Sequence, residues 1–434
     1  MRGHETAGQE YGVRSARVWQ RLLGVERTVV EKVEFDAEAD MVVAHVRPRR
    51  GASRRCGRCG RRAGWYDRGE GRRRWRALDL GVVQVFLEAD APRVDCLTHG
   101  PTVVAVPWAR HGAGHTRIFD DQVAWLAVHT SRTAVGQLMR IAWRTVGAIC
   151  ARVAADGQQA VDRFGGLRRI GIDELSYKRG HRYITCVVDH DTGRLVWAAP
   201  GRDKATLNRF FDLLGPDGCA QVTHVSADGA DWIAQVVASR CPAAVRAMDP
   251  YHVVAWATEA LDQVRRDVWN TTRGGRGRAT EASQAVKNAR WALWKDPDDW
   301  TPAQQAQLEW IATSHPRLHR AWALKEGLRW VFQLARQGFR RLAVRALDRW
   351  LSWARRCRIP AFIDLAARIT GHRQAIEAAL EHGLSNALVE SVNTKLRLIT
   401  RIAFGFHDPH ALIGLAMLAA GGLCPPLPGR THTA

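Results

Sequence analysis

The sequence predicts a multidomain α/β protein, and three observations carry that prediction. A chain of 434 residues has room for two to four domains at roughly 150 residues each. From residue 169 onward, short apolar runs alternate with segments of helical periodicity, the pattern of a sheet covered by helices. Residues 253–380 then show helical spacing throughout and hold ten of the 18 tryptophans. A smaller β-rich segment and a helical hairpin precede both.

In chain order, residues 16–23 read as a short helix. Residues 28–35 and 41–46 read as strands joined by a turn at 37–40. An arginine-dense stretch follows from 47 to 76, with 13 Arg against only Asp67 and Glu70. Residues 82–87 alternate as a strand, and 118–155 are helical. After a linker at 161–169, strands are expected at 169–176 and 183–189. Asp191-Thr192-Gly193 makes a hairpin turn into a returning strand at 194–199. A helix at 205–214, a strand at 222–227, a helix at 230–239 and a strand at 243–248 complete the alternation. Within the tryptophan-rich region, Trp291/Trp294, Trp350/Trp353 and Leu342/Ala346/Arg349 lie at helical spacing. The loop at 271–280, TTRGGRGRAT, is a basic break.

Composition narrows the function classes. With 46% hydrophobic and 25% charged residues, the chain can bury sizeable cores, which excludes disorder over most of its length. The 64 Lys+Arg against 43 Asp+Glu give a net charge of +21, a field that attracts polyanions and makes nucleic acid the leading partner class. Nine cysteines, mostly scattered, are too few for a disulfide scaffold. The opening MRGHETAGQEYGV lacks an apolar core, so no secretory signal is expected. The apolar run at 411–424 is too short and glycine-rich to span a bilayer. These features predict a cytoplasmic, nucleoid-associated protein without a membrane partner.

Two ligand pairs stand out in the front segment. Cys56-x2-Cys59 and Cys96-x2-His99 are separated by 36 residues. A two-residue gap lets one tight turn present both ligands of a pair, and four such ligands suit tetrahedral Zn²⁺. Gly57 and Gly60 would supply the turn freedom. A closed Cys3His set makes the zinc structural, with His111 and His115 as alternative fourth ligands.

The helical hairpin has helix-turn-helix character. Ser131 is an N-cap residue, and Ile141-Ala142-Trp143 breaks the helix. Ala134, Leu138, Val146 and Ile149 fall where such a motif packs small or apolar side chains. Arg140, Arg144 and Arg152 would face DNA.

Carboxylates mark the sheet region. Asp173 and Glu174 sit late in the first strand, and Asp228 ends a later one just before a helix. Acids at the ends of neighbouring strands can converge on a divalent cation, and oxygen ligands suit Mg²⁺ or Mn²⁺. The strand–hairpin–strand–helix–strand order suggests a ribonuclease-H-like mixed sheet. A third acid comes from far along the chain. Ser385 to Arg401 reads as a capped helix on which Glu390, Asn393, Arg397 and Arg401 share a face, suited to metal and phosphate together.

These segments resemble, in order, those of the ISL-three family of bacterial insertion-sequence transposases, which are of the DDE type. The stretch IGIDELSYKRGHRYITCVVDHDTG is similar to the family's first catalytic segment, and VSADGADW to its second. AMDPYHVVAWATEALDQVRR resembles the Asp-x2-His element that follows, here Asp249 and His252. SNALVESVNTKLRLITRIAFGFHD resembles the last segment. The Cys/His region and helical hairpin correspond to the family's front end, so the resemblance spans about residues 25–420. The second ligand pair is Cys-x2-His, where many relatives have a second Cys.

The resemblance implies Asp173, Asp228 and Glu390 as a catalytic triad binding magnesium, and it selects Asp173 over Glu174. It implies that residues 253–380 are a helical insertion within the core. Asp249 and His252 would support catalysis by positioning a strand or a water; a helix cap with a packed histidine is the other reading. Asn393, Lys395, Arg397 and Arg401 would hold phosphates. The implied activity is two-metal phosphoryl transfer. It cleaves transposon ends at terminal inverted repeats and joins the 3′-hydroxyls to target DNA, in at least a homodimer. The alternative is a zinc and helix-turn-helix regulator with an inactive core. The expected organisation is N-terminal strands at 1–48, a zinc-binding module at 49–110 and a helix-turn-helix domain at 111–160. A catalytic core at 165–252 and 381–424 follows, with the helical insertion at 253–380.

Overall fold

The computed structural model describes residues 16–274, 278–384 and 386–430. The opening polar stretch, the middle of the basic loop at 271–280 and Ser385 therefore lie outside the described residues. The chain divides into two compact units, Met1–Val161 with Leu423–Ala434, and Asp162–Gly422.

The first unit opens with α1 (Ala16–Leu22), β1 (Thr28–Asp36) and β2 (Met41–Pro48). It continues through β3 (Gly64–Asp67), β4 (Arg72–Arg76), β5 (Gln84–Asp90), β6 (Arg93–Cys96) and β7 (Gly100–Val103). The strands form a four-stranded sheet in the order β1-β2-β5-β4 and a three-stranded sheet β3-β6-β7. Because β2 pairs with β5 in parallel, the N-terminal strands share a sheet with strands of the cysteine-bearing segment. Val42, Ala44, Val46, Val85 and Leu87 alternate inward to build that core, with Trp75 set edge-on to Trp108 at 5.5 Å. Part of the arginine-dense stretch is paired: Arg47 meets Glu31, Arg72 and Arg74 share Glu88, and Arg76 is buried against Asp79.

Three helices follow, α2 (Arg117–His129), α3 (Arg132–Met139) and α4 (Trp143–Ala160). Thr116 and Ser131 cap the first two through their hydroxyls. Arg140 turns the chain in the left-handed region (φ 53°). A Cβ on Gly136 would lie 2.8 Å from the Ile141 carbonyl, so the close turn between α3 and α4 depends on that glycine.

The second unit begins with β8 (Arg169–Lys178), β9 (Arg182–Asp189) and β10 (Leu195–Pro200). Then come α5 (Lys204–Gln221), β11 (His224–Ala227), α6 (Asp231–Arg240) and β12 (Val245–Met248). The sheet order is β10-β9-β8-β11-β12. β9 runs antiparallel to both its neighbours, while β8, β11 and β12 are parallel. Ile170 and Ile172 enter the core that Leu207, Phe210 and Phe211 of α5 and Ile233 and Val237 of α6 complete. α5 breaks at Gly215 (φ 74°) before Pro216, beyond the expected end at 214.

Eight helices run on from there: α7 (Pro250–Thr271), α8 (Glu281–Asn288), α9 (Arg290–Trp294), α10 (Pro302–Ser314), α11 (Pro316–Arg336), α12 (Arg340–Arg356), α13 (Pro360–Gly371) and α14 (Arg373–His382). They share one apolar core. On α12, Ala343, Ala346, Leu347, Trp350, Leu351 and Ala354 form the buried stripe of an amphipathic helix. Leu342, at helical spacing from Ala346, lies beside that stripe and is 43% exposed. Of the ten tryptophans in this region, seven sit in or against the core, and Trp291, Trp330 and Trp353 are exposed. The chain returns to the sheet through α15 (Ala387–Ile402), which packs on β8 and β9, and α16 (Pro409–Ala420), which packs on β10. Among the described residues, no helix is long and apolar enough to cross a membrane.

Candidate functional site

Strand register sets the acids side by side. Ser226 of β11 pairs with Gly171 of β8, so two residues further along each strand Asp228 comes level with Asp173. Ala227 pairs with Met248 of β12, which brings Asp249 level with Asp228. Three aspartates thus occupy the carboxyl-end side of three adjacent parallel strands. Side-chain alternation then separates Asp173 from Glu174. Gly171 faces α15: a Cβ there would lie 2.3 Å from Val389 Cγ2. Asp173, two residues on, faces the same helix, and Glu174 pairs instead with Arg202 at 3.2 Å.

Electrostatics tie the acids together. Burial pushes the Asp173 carboxyl up, and the charges of Asp228 and Asp249 raise it further. Glu174 is pushed up to about 7, by burial first and then by Asp228. Asp249 is 6% exposed; burial raises its carboxyl, and the Glu390 charge adds to that. A cluster of mutually repelling carboxylates with hard oxygen donors suits a divalent cation such as Mg²⁺.

The helix bearing Glu390 is fastened by buried amides. Asn386 was expected to belong to a capped helix start, but its side chain makes no cap. It is 3% exposed and reaches the sheet, accepting from the Ser226 hydroxyl and donating to the Ile172 carbonyl at 3.4 Å. The Asn386 N–H donates to Asp249 Oδ1 at 3.3 Å, and its carbonyl accepts from the Glu390 N–H at 2.7 Å. His190 Nε2 lies 2.6 Å from the same Ser226 hydroxyl. Asp249 also caps α7, accepting from the Tyr251 N–H, and His252 Nε2 lies 3.9 Å from Asp249 Oδ2.

Asn393 corrects an expectation. It was grouped with phosphate contacts, yet it is fully buried and donates to Asp173 Oδ2 at 2.7 Å. The stripe of Val389, Val392 and Leu396 carries that edge of α15 into the sheet, which leaves no surface for DNA at Asn393. Glu390, Lys395, Arg397 and Arg401 are exposed. Lys395 leaves the helix about 140° round the axis from Glu390. Sequence reasoning assigned no role to Ser226, His190 or Asn386. The one signal was Gly171 set between Ile170 and Ile172 inside a strand, a mark of close backbone approach.

In the first unit, Cys56, Cys59, Cys96 and His99 bring their ligand atoms within 4.8 Å of one another. The Cys59–Cys96 sulfurs are 3.7 Å apart, and His99 Nδ1 lies 3.6 Å from both Cys56 and Cys96. Ligands at 2.0–2.3 Å from a tetrahedral zinc stand about 3.5–3.8 Å apart, so the set fits that ion. The Thr98 N–H holds the Cys96 thiol down to about 6. His99 is therefore the fourth member. His111 lies behind Gly57, where a Cβ would stand 2.5 Å from its Nδ1, and His115 stacks on Phe119 at 4.9 Å. Gly60 (φ 68°) turns the first knuckle; Gly57 is needed for space rather than for φ.

The helical hairpin differs from expectation in three places. Leu138, expected to pack, is 64% exposed. Val135, Gly136 and Met139 face inward instead. Arg152 is not free for DNA: its Nη1 lies 2.9 Å from Asp120 Oδ2, and Asp120 is wholly buried. Arg140 leans back on the β-module, donating to the Val82 carbonyl at 2.8 Å. Arg144 remains exposed, with its guanidinium 5.3 Å from the ring centre of the exposed Trp143.

Fold, acid cluster and front modules together define a DDE-type DNA-rearranging enzyme, and the comparisons agree: the chain belongs to the ISL3 family of transposases. A family model described as "Transposase" matches residues 170–415. The helix-turn-helix domain of transposase family ISL3 matches 104–154, and the zinc-finger of transposases IS204/IS1001/IS1096/IS1165 matches 52–99. The chain is 61% identical to the transposase for insertion sequence element IS1557 of Mycobacterium tuberculosis, over 96% of this chain and 98% of that protein. It is 26% identical to the transposase for insertion sequence element IS1001 of Bordetella parapertussis, over 77% and 81%.

Proposed function

We propose that the second unit is a ribonuclease-H-like catalytic core in which Asp173, Asp228 and Glu390 hold divalent magnesium or manganese. The helical region at 253–380 is an insertion before the last acid. The observation that carries this reading is the parallel register of β8, β11 and β12, which aligns Asp173, Asp228 and Asp249, with α15 and its Glu390 fastened to the same strands. Bound metal supplies activation of a water or 3′-hydroxyl and stabilisation of the leaving oxygen. Asp173 on the central strand, Asp228 at the end of the neighbouring strand and Glu390 on α15 would hold the metal. Asp249 supports the site by holding the start of α15, and His252 lies near its carboxylate. The substrate is duplex DNA carrying the element's terminal inverted repeats, and its 3′-hydroxyls are joined to target DNA.

The front segments supply binding. Zinc closes the Cys56/Cys59/Cys96/His99 knuckles as a structural ion. Arg144 at the start of α4 contacts the repeat, and Lys395, Arg397 and Arg401 hold backbone phosphates. Two ends must be bridged for joining, which calls for at least a homodimer on DNA in the cytoplasm.

The test is cleavage and joining of DNA bearing the flanking repeats, with Mg²⁺, with EDTA and with Asp228→Ala. Metal-dependent joined product that vanishes in the variant is expected. Binding without any cut strand would make the chain a DNA-binding regulator, and cleavage without joined product would make it a nuclease.

A further inference from the structure

Asn393 is the amide that the proposed reaction leaves unexplained. Its side chain is fully buried, and Nδ2 donates to Asp173 Oδ2 at 2.7 Å. The other oxygen, Asp173 Oδ1, accepts from the Glu174 N–H at 2.8 Å. Each carboxylate oxygen thus has one donor held by backbone or by a buried side chain. Each also keeps lone-pair capacity for another partner. Two donors on opposite oxygens fix the rotation of the carboxylate about its own axis.

The cost of this arrangement shows what it is for. Asn393 Oδ1 is buried with no hydrogen-bond partner among the described residues. Turning the amide over would set one acceptor oxygen against another, so the contact with Asp173 requires the nitrogen to face it and leaves Oδ1 unpaired. A leucine would fill nearly the same volume without burying an unpaired acceptor. Packing alone therefore favours an apolar residue here. The position also has a geometric logic, since Asn386, Glu390 and Asn393 recur at i, i+4 and i+7 on one side of α15. The two amides flank the acid, one tied to the strand ends and one to the first aspartate.

We propose that Asn393 is a positioning residue: it presets the rotation of the Asp173 carboxylate so that a divalent cation meets an oriented ligand. This rests on the metal-dependent reading above. Outer-shell hydrogen bonds of this kind are worth about 10–100-fold in metal affinity.

The test uses the full chain with Asn393→Leu and Asn393→Ala, and Mn²⁺ as the probe. The half-saturating Mn²⁺ for DNA cleavage is expected to rise about 10-fold or more, with repeat binding in EDTA and the melting temperature close to those of the parent. A second readout does not depend on DNA cleavage. Fe²⁺ with ascorbate and peroxide cuts the polypeptide next to bound metal, and scission near Asp173 and Asp228 is expected to weaken in both variants. Half-saturation and scission within twofold of the parent in a folded variant would overturn the proposal. So would failure of both variants to fold, which would make the amide purely structural. A parent chain that never cleaves DNA but shows Asn393-dependent scission would sink the transposase reading and leave this one standing.

Discussion

Replacing Arg152 with alanine separates a structural arginine from a DNA-binding one. Asp120 is wholly buried, and its cations are Arg152 at 2.9 Å and Arg110 at 3.6 Å. Arg110 is shared, since it also meets Asp121 and Asp156 at 2.6 Å each. Burial pushes the Asp120 carboxyl up to about 6 from an ordinary 3.8, against the pull of both arginines. His115, 3.8 Å away and held down to about 4 by burial, is neutral in the range considered. A raised carboxyl favours the folded state most below its unfolded value, and that advantage is lost as the pH rises through about 6. At 1.36 kcal/mol per unit, the ionised form costs the parent fold about 3 kcal/mol at pH 7.5.

Loss of the nearer cation removes a partner of a buried charge, which costs about 3–5 kcal/mol when nothing remains. Arg110 remains, and Asp120 can take up a proton, so about 2–3 kcal/mol is expected at pH 7.5. At pH 5 the carboxyl is protonated with or without Arg152, and the difference shrinks to about 1 kcal/mol or less. Calorimetry of the full chain reads this as a fall of roughly 5–10 °C in the transition of the first unit at pH 7.5, and a much smaller fall at pH 5. Arg144→Ala is the companion: no change in melting, but weaker repeat binding with a salt slope reduced by about 1. If Arg152→Ala melts like the parent at pH 7.5 and instead lowers the salt slope, the buried-pair reasoning is wrong.

Three further outcomes are expected. Gly171→Ala places a methyl 2.3 Å from Val389 Cγ2 and 2.9 Å from His190 Nε2. The overpacking costs about 1–3 kcal/mol and lifts α15 from β8. Cleavage should fall far more than repeat binding, and a second change, Val389→Ala, should restore part of it; unimpaired cleavage by the single variant would contradict this docking. Elemental analysis should find one zinc per chain, retained in His99→Cys and lost in Cys56→Ser together with the melting transition of the first unit. Zinc retained by Cys56→Ser would remove that residue from the set. On α3, Val135→Ser should destabilise the first unit by about 2 kcal/mol or more, whereas Leu138→Ser should leave its melting unchanged, and equal effects would mean the helix is turned differently.

What the sequence made legible is what depends on near neighbours. The Cys-x2-Cys and Cys-x2-His turns, the Ser131 cap and the strands flanking Asp191-Thr192-Gly193 follow from local geometry, and the structure contains all of them. The succession of strands and helices along 169–248 was also legible, because each is marked by its own apolar period. The misplacements have a different cause. α3 has only eight residues, about two turns, so its apolar phase is set by what α2 and α4 present rather than by its own pattern, and Leu138 falls outside. Arg152 looks like any cation of a basic helix until Asp120, 32 residues earlier, is brought beneath it. Asn393 lies three residues from Glu390 on one helix, but spacing along a helix fixes only which residues are neighbours. Whether that side meets solvent or sheet is decided by Gly171 and Asp173, and Asp173 lies 220 residues away. The polar groups that the sequence misassigned, Asn393, Arg140 and Arg152, are those whose partners lie far along the chain. A polar residue beside an apolar stripe, opposite a strand glycine, is therefore better read as an internal support of the site than as part of its surface.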